Sequence, residues 1–338
     1  MQKKLIALAV ASLVSAPAFA QSSVTIYGTF DAGVRHVDNT NVAGVSKANT
    51  TMDSGGTYNS NRWGMKGSEN LGNGMKANFN LEGGFMSGTG VGSISGGLFG
   101  RKQIVGLSGS WGALDLGRNY TAIFYTTGAY DPFRYKYTGI IPVATLDGAR
   151  RSNDIQYTGK FNGLTVRLEH ALGEVAGLSG ASATTEAGAS YANGPFSVGL
   201  AWGQQKNATD TLYLSKQWTV GGAYKMNPFE IMAGYHILKA DVAGGGTNDT
   251  KNWWLGGRYA LSAANALTLA YYNTKLEAVA AAGDGERKLT MLGFVHNLSK
   301  RTELYAGLDH SSLDGTRILT TDLKNKILGV SVGINHAF

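Results

Sequence analysis

Charged side chains in this chain recur at alternate positions of stretches whose intervening positions are apolar or small. Asp31 and Arg35 form one such set, Arg62 and Lys66 a second, Lys76 and Glu82 a third, and Arg167 and Glu169 a fourth, with Arg258 further on. Residues two apart in an extended strand share a face. Each stretch therefore presents a charged face and an apolar one; Trp63 and Met65, for example, fall opposite Arg62 and Lys66. Charges on a continuous wall can set a field and raise the local concentration of counter-ions. Other chemistries find less support. The glycines of "SGTGVGSISGG" form no G-x-G-x-x-G and precede no helical pattern, so a phosphate cradle is not expected. The six histidines show neither H-E-x-x-H nor a close ligand pair, and no local motif marks a Ser–His–acid group. No metal, no cofactor and no catalytic activity are expected.

The elements that carry these charges have a period of two. In "SSVTIYGTFDAGVRH", Val24, Ile26, Gly28, Phe30, Ala32 and Val34 share one face, and Thr25, Tyr27, Thr29, Asp31 and Arg35 the other. The same alternation returns in 75–85, 164–169 and 196–203, and helical spacing fits none of these. A longer repeat is laid over it. Tyr157, Tyr191, Tyr224 and Tyr259 each end one strand before a tight turn, spaced by 34, 33 and 35 residues, and His296 continues the series. Each unit is two strands closed by a short turn and joined to the next by a long loop. A solenoid or propeller would need a recurring blade motif and an apolar interior, which the repeat lacks. The count is sixteen strands in eight hairpins, with long connections at 37–59, 86–97, 119–150, 171–184, 203–212, 238–251, 273–287 and 310–325.

The two ends of the chain say where such strands belong. Residues 1–20, "MQKKLIALAVASLVSAPAFA", have Lys3 and Lys4, an apolar run and a small-x-small ending. They read as a secretory signal peptide, since a membrane helix needs about 20 apolar residues and different flanks. The other end, "ILGVSVGINHAF", alternates up to the last residue, so that strand must be paired along its whole length. The chain has no cysteine, 48 glycines, 5 prolines and a formal net charge of +7, with Lys and Arg spread singly, so nucleic acid is not an expected partner. A soluble barrel or sandwich would turn the apolar faces inward, and usually eight or fewer strands close it. Sixteen strands with a charged face enclose a lumen too wide to fill, so the apolar faces must turn out to lipid. The predicted fold is all-β: a 16-stranded antiparallel transmembrane β-barrel over residues 21–338. Tyr157, Tyr191, Tyr224, Tyr259 and Phe338 would form its aromatic girdle, and first and last strands must pair because lipid tolerates no open edge.

The stretches "SSVTIYGTFDAG", "SNRWGMKGSENLGNGMKANFNLE", "ALDLGRNY", "NLSKRTELYAGLDH" and "GINHAF" resemble those of the trimeric general porins of Gram-negative outer membranes, especially the betaproteobacterial branch. The chain departs from that pattern at Asn70, where Asp is frequent, and at Met65 and Met75. The resemblance implies export to the outer membrane, a homotrimer, and a third external loop folded into the lumen as a constriction. By the strand count that loop is 119–150, too apolar for a solvated, disordered loop; the competing reading is a surface loop over a trimer interface. On this reading the pore constriction would be set by Arg35, Arg62, Lys66, Arg134, Arg150 and Arg151, with Asp131 and also Asp147 as the acidic side. The function implied is general diffusion of small hydrophilic solutes and ions with a modest anion preference. A channel specific for an anion or a sugar is the alternative, kept open by the aromatics of "YTTGAYDPFRYKY", and an adhesive or structural barrel is a third.

Overall fold

The computed structural model describes residues 23–42, 45–52, 54–94, 97–137, 146–279, 283–315 and 325–338. The expected signal peptide, residues 1–20, lies outside the described residues, as does 138–145 of the third long loop.

Among the described residues the chain forms seventeen strands in one antiparallel sheet. The first three are β1 (Ser23–Val42), β2 (Val45–Thr51) and β3 (Arg62–Gly72), and the last is β17 (Lys326–Ala337). Apart from β2 and β3, neighbours in sequence pair with each other, and β17 pairs with β1 from Thr29↔Ala337 to Val37↔Gly329, which closes the sheet into a barrel. β2 pairs with the upper half of β1 and β3 with its lower half, Ser23↔Ser68 to Thr29↔Arg62. β2 and β3 are thus two pieces of one stave, and the barrel has sixteen. The connection expected at 37–59 is correspondingly smaller, because β1 and β2 extend through most of it as a hairpin. Strands also run further into other expected loops. β12 (Phe229–Asp241) and β13 (Thr247–Ala260) leave only 242–246 between them. Alternation there continues in charged and polar residues, which sequence reading assigns to loops although the ladder hydrogen bonds are indifferent to side-chain polarity.

The outward face is apolar because its side chains meet lipid, and the closed ladder leaves no sheet edge open to lipid, which offers no replacement for a backbone partner. Val24 and Ile26 are 63% and 69% exposed, and Leu200, Leu269 and Val332 lie on the same outer surface. Among the described residues no helix is long and apolar enough to cross a membrane; the strands cross instead. Tyr157, Tyr191, Tyr224, Tyr259 and Phe338 all sit on this face at the short-turn rim, where Tyr224 packs on Phe196 and Tyr259 on Phe229, each with ring centroids 4.7 Å apart. The chain's last residue closes the seam. Phe338 and Gly28 exchange two backbone hydrogen bonds of 3.1 Å, and a Cβ on Gly28 would stand 2.2 Å from the Phe338 ring. Gly28 interrupts the apolar alternation of β1 to seat that ring.

The large buried side chains lie inside the barrel. Tyr58, Phe133, Tyr137, Trp254, Tyr272, Leu289, Met291 and Tyr305 form one cluster, made where a loop presses on the inner wall.

Candidate functional site: the lumen beside the third long loop

Between β6 (Gly112–Tyr120) and β7 (Arg150–Phe161) the chain turns into the barrel. It opens with a two-turn helix, α1 (Ala122–Ala129), too short to hold itself in water. The Thr121 side chain caps it by accepting from Phe124 N at 3.2 Å, and Glu186 of β9 (Thr184–Asn193) accepts from Ile123 N at 3.0 Å. Further wall contacts follow: Thr127 with Thr219, Trp254 Nε1 donating to Tyr130 O at 2.8 Å, and Tyr137 OH donating to Ala306 O at 2.8 Å. The loop can lie this close because glycines occupy lumen-facing positions under it. A Cβ on Gly221 would come within 2.6 Å of Tyr130, one on Gly256 within 2.6 Å of Pro132, and one on Gly293 within 2.7 Å of Phe133.

Sequence reading puts Asp131 at the acidic side of the lumen; it is instead fully buried behind the loop. Its carboxylate accepts from Tyr135 N at 2.7 Å and from the Tyr272 hydroxyl. Those bonds hold a turn in which Arg134, Tyr135 and Tyr137 all have left-handed backbones, with φ of 52°, 61° and 69°. Such conformations cost on the order of 1 kcal/mol or more each and persist only when the surroundings enforce them. Asp131 thus acts on the lumen through its neighbours, by aiming Arg134 and Lys136 into it. Burial pushes its pKa from 3.8 up to about 6. The docked turn therefore binds a proton more tightly than a solvated one, and docking is strongest below about pH 4 and weakens as pH rises through 6. Open-channel noise should accordingly increase between pH 4 and 7.5, and Asp131→Asn should flatten that dependence; noise that rises on acidification would contradict this assignment.

The loop leaves an open cleft of about 630 Å³ against the wall that carries Arg62, Glu82, Tyr120 and Arg150. Among the described residues that line it, Arg62, Arg101, Arg134, Lys136 and Arg150 are cationic and Glu82 alone is acidic. Glu82 accepts from Arg101 Nε at 2.7 Å and lies 3.9 Å from Arg62. The Tyr120 hydroxyl accepts from Arg101 at 2.8 Å and from Arg150 at 2.7 Å, while its ring lies under the Arg150 guanidinium at 4.3 Å. One phenol oxygen thus spaces two cations that would otherwise repel. Tyr120 stacks on Phe124, and Phe124 packs on Tyr135, with centroids 4.8 and 4.4 Å apart.

Of the charges expected at the constriction, Arg62, Arg134 and Arg150 share this cleft. Arg134 pairs with Glu230 at 2.7 Å yet remains 57% exposed. Arg151 is tied to Asp147 at 2.8 Å, and Ser215 also donates to that carboxylate, so this charge is compensated. Arg35 is held by Asp309 in a two-pronged pair at 2.7 and 2.9 Å on another part of the wall. Lys66 lies apart, over the Tyr27 ring and lining a separate recess with Asn78, Asn80 and Asp115. Sequence reading missed Arg101 and Tyr120. Arg101 precedes β5 (Lys102–Gly109) and has the outward parity of Gln103 and Val105. A register shift between Gly117 and Asn119 likewise breaks the alternation before Tyr120. Parity misdirects at irregularities of this kind.

A closed, lipid-facing barrel with a charged, partly obstructed lumen is an outer-membrane diffusion channel. The sequence matches the Gram-negative porin family over residues 7–316, and the chain belongs to that family. It is 33% identical to outer membrane porin protein 32 of Delftia acidovorans and 27% identical to an outer membrane porin protein of Bordetella pertussis, each over the whole of both chains. Its structure is similar to an anion-selective porin from Comamonas acidovorans, with a TM-score of 0.79 and 29% identity over 94% of this chain and 100% of that one. The protein resides in the outer membrane as a membrane-embedded channel for solutes.

Proposed function

We propose that the channel passes small hydrophilic solutes and ions by general diffusion, with a modest preference for anions set beside the third loop, and that it works as a homotrimer. One observation carries the preference: five cations line the cleft, and Glu82, Glu230 and Glu303 are the carboxylates paired with them, leaving two positive charges in excess. The anion-selective relative supports the same sign. Wide lumens select by field and size; they need no tight site. A second reading, a channel specific for one class of solute, draws on the Tyr120–Phe124–Tyr135 stack, which offers an aromatic surface beside the arginines. Conductance in potassium chloride separates the two. General diffusion predicts conductance proportional to salt concentration, with closures in groups of three for the trimer. Saturation at low concentration of a test solute would favour the specific channel instead.

A further inference from the structure

The turn that carries Arg134 and Lys136 has a second side. Both side chains line the arginine-rich cleft, and both also line a smaller cleft of about 230 Å³ on another part of the wall. That part is built by β13, β14 (Asn265–Glu277), β15 (Gly285–Asn297) and β16 (Thr302–Gly315). Arg258 enters the cleft because it has the inward parity of Trp254 and Gly256, which meet the loop at Tyr130 and Pro132. The next residue is Tyr259 of the girdle, so the cleft lies toward the short-turn rim.

Two kinds of surface meet here. One is apolar: Pro132, Phe133, Tyr137 and Val295 line it, and Phe133 stands edge-on to Tyr137 with centroids 5.4 Å apart. Gly293 makes room for both rings, since a Cβ there would lie 2.7 Å from Phe133 and 3.1 Å from Tyr137. The other surface is cationic. Lys136 is paired with Glu303 at 3.1 Å, and Arg134 with Glu230 at 2.7 Å. Arg258 stands directly across from Glu230 on the neighbouring strand, yet Arg134 takes that carboxylate. Among the described residues Arg258 forms no ion pair, and its side chain is exposed to the lumen. Three cations thus have two carboxylates between them, and the remainder is one guanidinium beside aromatic rings. A field alone acts on any anion and needs no rings beside it.

A guanidinium matches a carboxylate through two parallel hydrogen bonds, and an aromatic ring packs edge-on or offset against Phe and Tyr. The cleft is smaller than the roughly 300–1,000 Å³ of pockets for drug-sized ligands, which suits a solute of one ring. We propose that it is a binding subsite for small aromatic carboxylates, with Arg258 receiving the carboxylate and Phe133, Tyr137 and Val295 holding the ring. Binding is weak and reversible because the cleft opens into the lumen, and a solute held there narrows the passage during its stay. The proposal rests on the reading of the chain as an open diffusion channel and adds a solute class that a wall field does not distinguish.

Single-channel current of the full-length protein in potassium chloride tests it, with benzoate, acetate or benzamide added at equal concentration. Benzoate carries ring and charge, acetate the charge alone and benzamide the ring alone. Benzoate should interrupt the current at concentrations about tenfold or more below those at which acetate or benzamide produces the same closed fraction. Arg258→Gln should weaken the benzoate effect by about tenfold, and Arg258→Lys, which keeps the charge without the two-pronged geometry, by less. Val295→Thr, nearly equal in size, should weaken benzoate about threefold relative to acetate. Equal effects of benzoate and acetate would overturn the proposal and assign the cleft to the field alone. Equal effects of benzoate and benzamide, or benzoate interruptions unchanged in Arg258→Gln, would overturn it too. A channel that conducts potassium chloride without interruption by benzoate overturns the subsite and leaves the diffusion reading standing. A folded protein that conducts nothing overturns both.

Discussion

Replacing Arg62, Arg134 and Arg150 together with glutamine should turn the proposed chloride preference into a preference for potassium. The three guanidinium groups face one cleft, and their removal leaves Arg101 and Lys136 against Glu82, Glu230 and Glu303. A unit charge about 5 Å from a passing ion contributes roughly 0.8 kcal/mol even in a water-like medium, about fourfold in local concentration. The effect acts in opposite senses on anion and cation, so three charges should shift the permeability ratio by more than about tenfold. Arg101 is left in place because its 2.7 Å bond to Glu82 would otherwise expose a buried carboxylate. The corresponding lysine variant keeps the charge while removing the two-pronged geometry around Tyr120, and should retain most of the chloride preference. Reversal potentials of the two variants distinguish a field effect from a general disturbance of the loop.

The second large effect concerns the loop itself. Gly221→Val should release it from the wall, because a Cβ at that position stands 2.6 Å from Tyr130 while valine suits a strand backbone. Overpacking of this kind costs about 1–3 kcal/mol. Displacing Tyr130 also strips Trp254 Nε1 of its 2.8 Å acceptor, and an unpaired buried donor adds about 1–3 kcal/mol. A shift near 3 kcal/mol moves the docked-to-released ratio by roughly a hundredfold. The expected result is a larger and noisier single-channel conductance with weaker ion discrimination. Gly222→Val is the matched control. Its Cβ would point outward, where the nearest atom is Ser197 O at 3.4 Å, and conductance should stay at the wild-type level.

What could be read from the residues depended on regularity. Strict alternation in β1 and β17 identified both barrel faces, and the apolar run to Phe338 required the seam that the Gly28 contact makes. The tyrosines before the short turns found the rim because their spacing repeats with the hairpins. Where the ladder is irregular the same rule failed. Arg101 and Tyr120 have outward parity and inward side chains, because a strand start and a register shift reset the count. Asp131 shows a different failing. A carboxylate next to a proline in an aromatic stretch gives no sign that Tyr272, 141 residues away, will close over it. The glycines at 221, 256 and 293 were legible only as strand positions without a side chain. That they form a bed for the loop becomes visible once the strands stand side by side. Charge compensation was hidden for the same reason, since Arg35 meets Asp309 across the seam between the chain's two ends.

Excess positive charge beside the third loop is proposed to favour anions. The most direct measurement is the zero-current potential of the wild-type protein in a planar bilayer across a potassium chloride gradient. A potential of the sign set by chloride, shrinking as the salt on both sides is raised and screening shortens the reach of the arginines, is the predicted result. A potassium-directed potential would contradict the account and assign the field to Glu82, Glu230 and Glu303.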